Sequence, residues 1–267
     1  MVLSNWVAAA GEAIGFVLRF LAAIVLAVHC GGAVAGLPET IEKVKPSIVA
    51  VGTVQKTRSP QFAFRGTGFV VGDGTLVATN AHVLPTLVEQ DKGEALVIVA
   101  APGGKDPQPR EARAVAIDKD HDLALLRISG APLPALKLRD PAGVREGESF
   151  AFSGFPIGSV LGFAPVTHRA VIAAVTPIAI PGGSAGELNE KVIRRLKSGA
   201  FSVFQLDATA YPGNSGSPLY DIDSGEVVGI INMVMVKGTK EAALSQPSGI
   251  SFAVPTRYLE ELLKKER

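Results

Sequence analysis

The chain has one cysteine, Cys30, in 267 residues, which excludes an intrachain disulfide framework and any zinc site built on several thiolates. Histidine is nearly as scarce, with four in all, at 29, 82, 121 and 168, so each can be inspected individually. An excess of one charge is also missing: 26 Lys and Arg stand against 25 Asp and Glu, for a net charge of +1. Without a basic field there is no electrostatic footprint for nucleic acid, and without an acidic one no solvated, disordered character. Charged residues are 19% of the chain and hydrophobic ones 47%, enough for a large core. Neither the histidines nor the acidic residues fall at ligand spacing, so no metal or cofactor is implied. Abundant instead are Gly and Pro, 29 and 18, which favours many turns and short strands over long helices.

Long apolar runs are lacking as well. The most hydrophobic stretch is FLAAIVLAV at 20–28, well short of the roughly 20 residues a membrane span needs. Extending it back to Trp6 takes in Glu12 and Arg19, each costing about 2.5–3.5 kcal/mol near a bilayer centre. Arg19 before the run and Ala33-Val34-Ala35 after it are the parts of a secretory signal peptide over residues 1–35. That reading predicts export, to the periplasm or the exterior. Two alternatives stay open: an uncleaved membrane tether through residues 6–28, and a hydrophobic N-terminal helix of the fold. His29 before Cys30 is a poor match to the small residue a lipoprotein site requires.

Residues 36–267 read as one organised unit. PETIEKVK (38–45) is a short helix stopped by Pro46. Strand-like segments follow at 47–54, 66–71, 75–80, 94–100, 111–120, 122–128, 149–155, 166–175, 201–208, 217–222, 226–236 and 248–254, parted by Gly, Pro and polar turns. Gly72-Asp73-Gly74 between the second and third suits a tight hairpin turn. ELNEKVIRRLKSG (187–199) and the tail TRYLEELLKKER (256–267) have helical spacing, the tail with Lys and Arg in its last turns as the helix dipole favours. The expected class is all-β: two six-stranded antiparallel barrels, about 36–140 and 141–267, with short helices including one at the C-terminus.

Three segments carry chemistry. In GNSGSP (213–218) Ser215 lies between glycines, which allow the tight turn that exposes a nucleophilic hydroxyl and frees backbone N–H groups for an oxyanion; the bland alternative is a Ser/Gly loop. In TNAHVL (79–84) His82 ends a β-branched run, as a Ser-activating base or as a core histidine. In DKDHDLALLRI (118–128) Asp122 meets the apolar run directly, where a buried, orienting carboxylate belongs. Asp118 and Asp120 read as a solvated acidic turn, His121 as part of it, and His168 as a strand residue beside Arg169. The chain order His82, Asp122, Ser215 is that of the chymotrypsin-type β-barrel proteases, and unlike the subtilisin and α/β-hydrolase orders.

PSIVAVGT, GTGFVV, TNAHVL, DLALLRI, the Gly154-Phe155-Pro156 turn, VTHRAVI, QLDATAYPGNSGSPL, GEVVGIIN and GISFAVP each have a counterpart, in the same order, in trypsin-like serine proteases of the HtrA/Deg type. The chain resembles that family from about Leu37 to Lys264. The resemblance implies a chymotrypsin-like fold without disulfides and a serine endopeptidase working through an acyl-enzyme on protein or peptide substrates, with a part in protein quality control. It implies His82 as general base, Asp122 as its holder, Ser215 as nucleophile, and an oxyanion hole of the Gly213, Asn214 and Ser215 N–H groups. Homo-oligomers, trimers among them, occur in the family.

The sequence departs from the family in three places. The family carries PDZ domains after the protease, whereas here the tail helix closes the sequence, so regulation through one is not expected. His168-Arg169 stand where the family has a small Ser-Gly pair, which touches on substrate contacts. Residues 181–199 lengthen a loop near the site, as a gate, a partner contact or a plain surface insertion. For specificity, Thr209, six residues before Ser215, would floor the primary pocket and offers no anion for Lys or Arg. Ile231, Asn232 and Met233, with Met235, would supply an apolar wall, and small or medium aliphatic P1 residues are expected.

Overall fold

A computed structural model of the protein describes residues 36–88, 90–100, 108–158, 164–178, 201–232 and 249–266. The expected leader (1–35), the helix at 187–199, the 181–199 insertion, Met233 and Met235 lie outside these residues. The described strands are β1 (Ile48–Gln55), β2 (Phe62–Val71), β3 (Leu76–Asn80), β4 (Glu94–Ala100), β5 (Gln108–Asp118), β6 (Leu123–Ile128), β7 (Ser149–Gly154), β8 (Val166–Ile178), β9 (Phe201–Asp207), β10 (Pro218–Asp221), β11 (Val227–Asn232) and β12 (Ile250–Pro255). They close into two six-stranded antiparallel barrels, in the orders β1-β2-β3-β6-β5-β4 and β10-β11-β12-β9-β8-β7, as the strand spacing predicts. Closure leaves no unpaired sheet edge among the described strands.

The period-2 alternation of the strands decides which core each side chain enters. Val49 and Val51 of β1, Val70 of β2, Val77 of β3 and Leu126 of β6 fill the interior of the first barrel. The intervening Ile48, Ala50, Phe69, Ala78 and Leu125 join Ala151, Tyr220, Ile230 and Val254 of the second barrel in one shared cluster. Phe150, Phe152, Ile172, Leu206, Leu219 and Ile231 fill the second barrel. The strands between the barrels are therefore apolar on both faces, and β3 and β11 are buried along their whole length. Each fully buried Phe or Leu contributes about 1.5–3 kcal/mol of transfer free energy, so the seam is held as firmly as either interior.

β2 begins at Phe62, not at Gly66, because Phe62, Ala63 and Phe64 continue the pairing with β1 beyond a bulge at Val51/Gly52. A Cβ at Gly52 would lie 2.3 Å from the Ala63 carbonyl oxygen, so the bulge requires glycine. Among the described residues, two α-helices flank the barrels. α1 (Leu37–Val44) starts with Pro38 in its first turn, where the missing N–H costs nothing. α2 (Thr256–Glu266) follows β12 directly and buries Leu259 and Leu262 in the shared cluster. An ion pair of 2.6 Å from Arg127 of β6 to Glu266 ties the end of α2 to the first barrel.

Candidate active site

β3 ends at Asn80, and a single 3-10 turn, Ala81–Val83, carries His82. β6 pairs with β3 so that Leu123 lies opposite Asn80, which places Asp122, one residue earlier, beside His82. Backbone bonds fix that position: the Asp122 carbonyl accepts from the Ala81 N–H at 3.1 Å and from the Asn80 side-chain amide at 3.0 Å. On the other side of the turn Arg65 donates from Nε to the Val83 carbonyl at 2.7 Å and from Nη2 to the Leu84 carbonyl at 3.2 Å.

The Asp122 carboxylate grips His82 twice, Oδ1 accepting its backbone N–H at 2.9 Å and Oδ2 meeting Nδ1 at 2.5 Å. An ionised carboxylate only accepts, so Nδ1 carries a proton, and in the neutral imidazole Nε2 is then the nitrogen with the lone pair. Oδ2 also accepts from Nδ2 of Asn232 at 2.8 Å. Asn232 ends β11 in the second barrel and is fully buried. The two barrels thus meet at this carboxylate.

Ser215 stands on a turn between Gly213 and Gly216, whose φ angles of 105° and 89° lie in the region that favours glycine. The turn docks onto β2 of the first barrel. Thr67 donates its N–H to the Ser215 carbonyl at 2.9 Å and its hydroxyl to the Gly213 carbonyl at 2.7 Å. A Cβ at Gly216 would lie 2.0 Å from the Thr67 carbonyl oxygen, so the close approach needs glycine there. Gly66, also on β2, links the two turns: a Cβ there would lie 2.7 Å from Val83 Cγ2 and 3.1 Å from the Ser215 carbonyl oxygen. His82, Asp122 and Ser215 are therefore brought to one stretch of the seam.

The Pro212 carbonyl accepts from the Ile157 N–H at 2.7 Å. A trans peptide points its N–H opposite to its C=O, so the Gly213 N–H faces away from Ile157. The Asn214 N–H donates to the Tyr211 carbonyl at 2.9 Å, which corrects the expected trio of oxyanion donors: it is spent inside the turn. The Gly213 and Ser215 N–H groups have no partner among the described residues.

Residues 66–230 match the family model of a trypsin-like peptidase domain. The chain belongs to the trypsin-like peptidases. It is 32% identical over 236 residues to serine protease HTRA2, mitochondrial, of Bos taurus, with 86% of this chain and 43% of that protein covered. It is 30% identical over 233 residues to serine protease HTR4 of Bos taurus, covering 85% of this chain and 40% of the relative. Among solved structures it is similar to HtrA-type protease AlgW with tripeptide, at a TM-score of 0.58 and 23% identity over 85% of this chain and 62% of that one. The chain thus spans about two-fifths of the length of the curated relatives it matches.

Within this trypsin-like domain two of the four expected pocket residues have other work. Ile231 is fully buried in the second-barrel core, and Asn232 is fully buried against Asp122. The alternation of β11 sends one inward and the other to the seam, which leaves neither side chain a surface for a substrate. Met233 lies outside the described residues, and Thr209 is half-buried. Thr209 is framed by Ala208 and Ala210, both tied to Ser251 Oγ through the Ala208 carbonyl at 2.7 Å and the Ala210 N–H at 3.0 Å.

The acidic turn also differs from its expectation. Asp118 accepts the N–H groups of Asp120 and His121 at 3.0 and 3.1 Å, and meets Nδ1 of His121 at 2.7 Å. Despite the cost of partial burial, these bonds hold its pKa below the usual carboxylate value.

His168 stacks on Phe152 with ring centroids 4.9 Å apart and lies 6.1 Å from Tyr211. Its Nε2 is buried without a hydrogen-bond partner, and burial pushes its pKa below the ordinary value. Near pH 6 the unfolded chain therefore binds more protons here than the native one, and stability falls as pH drops through about 6.5. Asp118 and Asp221, with lowered values, act only in a more acid range. Between pH 7.5 and 5.5 the wild-type Tm should consequently drop further than that of His168→Leu, as read by thermal unfolding at both pH values. Equal drops would remove His168 as the cause.

Proposed function

We propose that this domain is a serine endopeptidase that cleaves peptide bonds of protein substrates through an acyl-enzyme formed on Ser215. The observation that carries the reading is the double grip of Asp122 on His82, at a turn that shares Gly66 with the turn of Ser215. As Ser215 Oγ bonds to the scissile carbonyl carbon, His82 Nε2 takes its proton and the carbonyl π pair moves onto oxygen. Asp122 stabilises the imidazolium, and the Gly213 and Ser215 N–H groups receive the oxyanion. Collapse breaks the C–N bond while Nε2 returns the proton to the leaving amine. Water then repeats the sequence on the ester and frees Ser215.

The relatives, which are serine proteases, and the structural neighbour, a protease with a tripeptide, support peptide substrates. Thr209 at the pocket floor supports small or medium aliphatic P1 residues. Assembly into homo-oligomers, a quality-control role and export past a membrane complete the proposal, the last supported by the apolar run 20–28 after Arg19.

Covalent labelling of the full chain with a fluorophosphonate, the adduct mapped by mass spectrometry, tests this directly. Label is expected on Ser215 and is expected to disappear in Ser215→Ala and His82→Ala. A folded protein that takes no label would be a catalytically silent peptide-binding barrel, and label on another residue would remove Ser215 as the nucleophile. Turnover of esters without peptides would make it an esterase.

A further inference from the structure

Directly before Asp122 lies a second His–Asp pair, which the reaction above does not use. Asp122 has φ +55°, a left-handed conformation that a non-glycine residue keeps only where its surroundings over-determine it. On its C-terminal side β6 begins at once, and its carbonyl and carboxylate are bound as described. On its N-terminal side stands His121. The Nδ1 of His121 meets Asp118 Oδ2 at 2.7 Å, while Oδ1 of the same carboxylate takes the N–H groups of residues 120 and 121. The turn is thereby closed on itself.

The ring of His121 is held from the second half of the chain. Tyr258 of α2 stacks on it at 3.9 Å with an interplanar angle of 19°, and Phe201, the first residue of β9, meets it edge-on at 4.8 Å. Phe201 and Tyr258 also pack against each other at 5.4 Å. The charged and titratable groups near the ring include the Asp118 carboxylate, the Tyr258 phenol and Arg257, with Asp120 and Asp122 on either side of His121 in the chain. Arg257 lies over Tyr258 at 4.7 Å and donates to its hydroxyl at 2.8 Å.

We infer that His121 is a positioning residue for Asp122: clamped between Asp118, Tyr258 and Phe201, it fixes the turn that delivers the Asp122 carboxylate to His82. The inference rests on the proposed role of Asp122. It makes α2, through Tyr258, part of the support of the site. An aromatic clamp across the seam suits this task, because a flat ring held on a face and an edge leaves the backbone little rotational freedom.

The test compares full-length variants by steady-state kinetics and fluorophosphonate labelling. His121→Ala and Tyr258→Ala should each lower kcat about 10-fold with KM nearly unchanged, the pattern of a misplaced catalytic group. The rate of fluorophosphonate labelling at Ser215 should fall about as much, because the reagent depends on the same base-activated hydroxyl. Tyr258→Phe, which keeps the ring, should behave as wild type. Leu262→Ala, a buried change on the same helix, should lower Tm and leave kcat and the labelling rate in place.

Should His121→Ala fail to fold, Tyr258→Ala and His121→Asn, which retains a donor toward Asp118 but no ring to stack, carry the same expectation. Variants with unchanged kcat and labelling rate, in a wild type that labels on Ser215, overturn this inference alone. So does a Leu262→Ala that reproduces both effects. A wild type that does not label on Ser215 overturns the proposed function and this inference with it.

Discussion

Asp122→Asn is expected to lower kcat by about 10⁴-fold while the protein stays folded, the magnitude associated with a lost orienting carboxylate in a Ser-His-Asp triad. The local hydrogen bonds explain why so isosteric a change has so large an effect. Asp122 Oδ1 accepts the His82 N–H, and Oδ2 faces two donors, His82 Nδ1 and Asn232 Nδ2. An amide keeps one acceptor. If its oxygen stays with the His82 N–H, its NH2 group points at Nδ1 and at a second NH2 group. His82 then relieves the clash by carrying its proton on Nε2, the tautomer that cannot accept from Ser215. If the amide is reversed, its NH2 group opposes the His82 backbone N–H instead. Either arrangement leaves a donor facing a donor in a partly buried site, and either loses the negative charge that stabilises the imidazolium. Steady-state kinetics on a peptide substrate, with circular dichroism to confirm the fold, checks this. A kcat within tenfold of wild type would remove Asp122 from the reaction.

The sequence made some of this site legible because His82, Asp122 and Ser215 each carry a local signal: a histidine ending a β-branched run, a carboxylate meeting an apolar one, and a serine between glycines. The barrels were legible for a related reason, since turn residues punctuate every strand. Contacts made across the fold left no such trace. Asn232 ends an apolar strand and reads as part of a pocket wall, because nothing near it announces a carboxylate 110 positions away. Thr67 sits in a glycine-rich strand and gives no sign of bracketing the Ser215 turn through its N–H and its hydroxyl. Asn214 has the neighbours of an oxyanion donor, and only the 3D turn reveals that its N–H is taken by Tyr211. His121 reads as a turn residue for the same reason, its aromatic partners lying at 201 and 258. What pattern reading recovers is the set of groups with local chemistry; what holds those groups is decided by pairing across the seam.

Gly213→Ala tests the remaining component, the oxyanion donors, and is expected to lower kcat by about 10²–10³-fold, the range for losing one such donor. A Cβ at 213 would stand 2.2 Å from the Phe155 carbonyl oxygen and 3.0 Å from Cε1 of Phe64, and the φ of 105° is one L side chains rarely adopt. The first contact is backbone and cannot yield cheaply, so the 212–214 segment must move. That movement strains the two bonds that aim the Gly213 peptides, Ile157 N–H to the Pro212 carbonyl and Thr67 Oγ1 to the Gly213 carbonyl, each 2.7 Å. The N–H of Gly213 then swings from the position where the developing oxyanion would sit. KM should change little, because the donor acts chiefly on charge formed in the transition state. Gly143→Ala is the matched control: a Cβ at 143 meets nothing within 4 Å, and its kcat should equal that of wild type. A Gly213→Ala enzyme that keeps kcat within about threefold would show that the oxyanion is held elsewhere, since the loop cannot accept the methyl group and keep its peptide planes where they are.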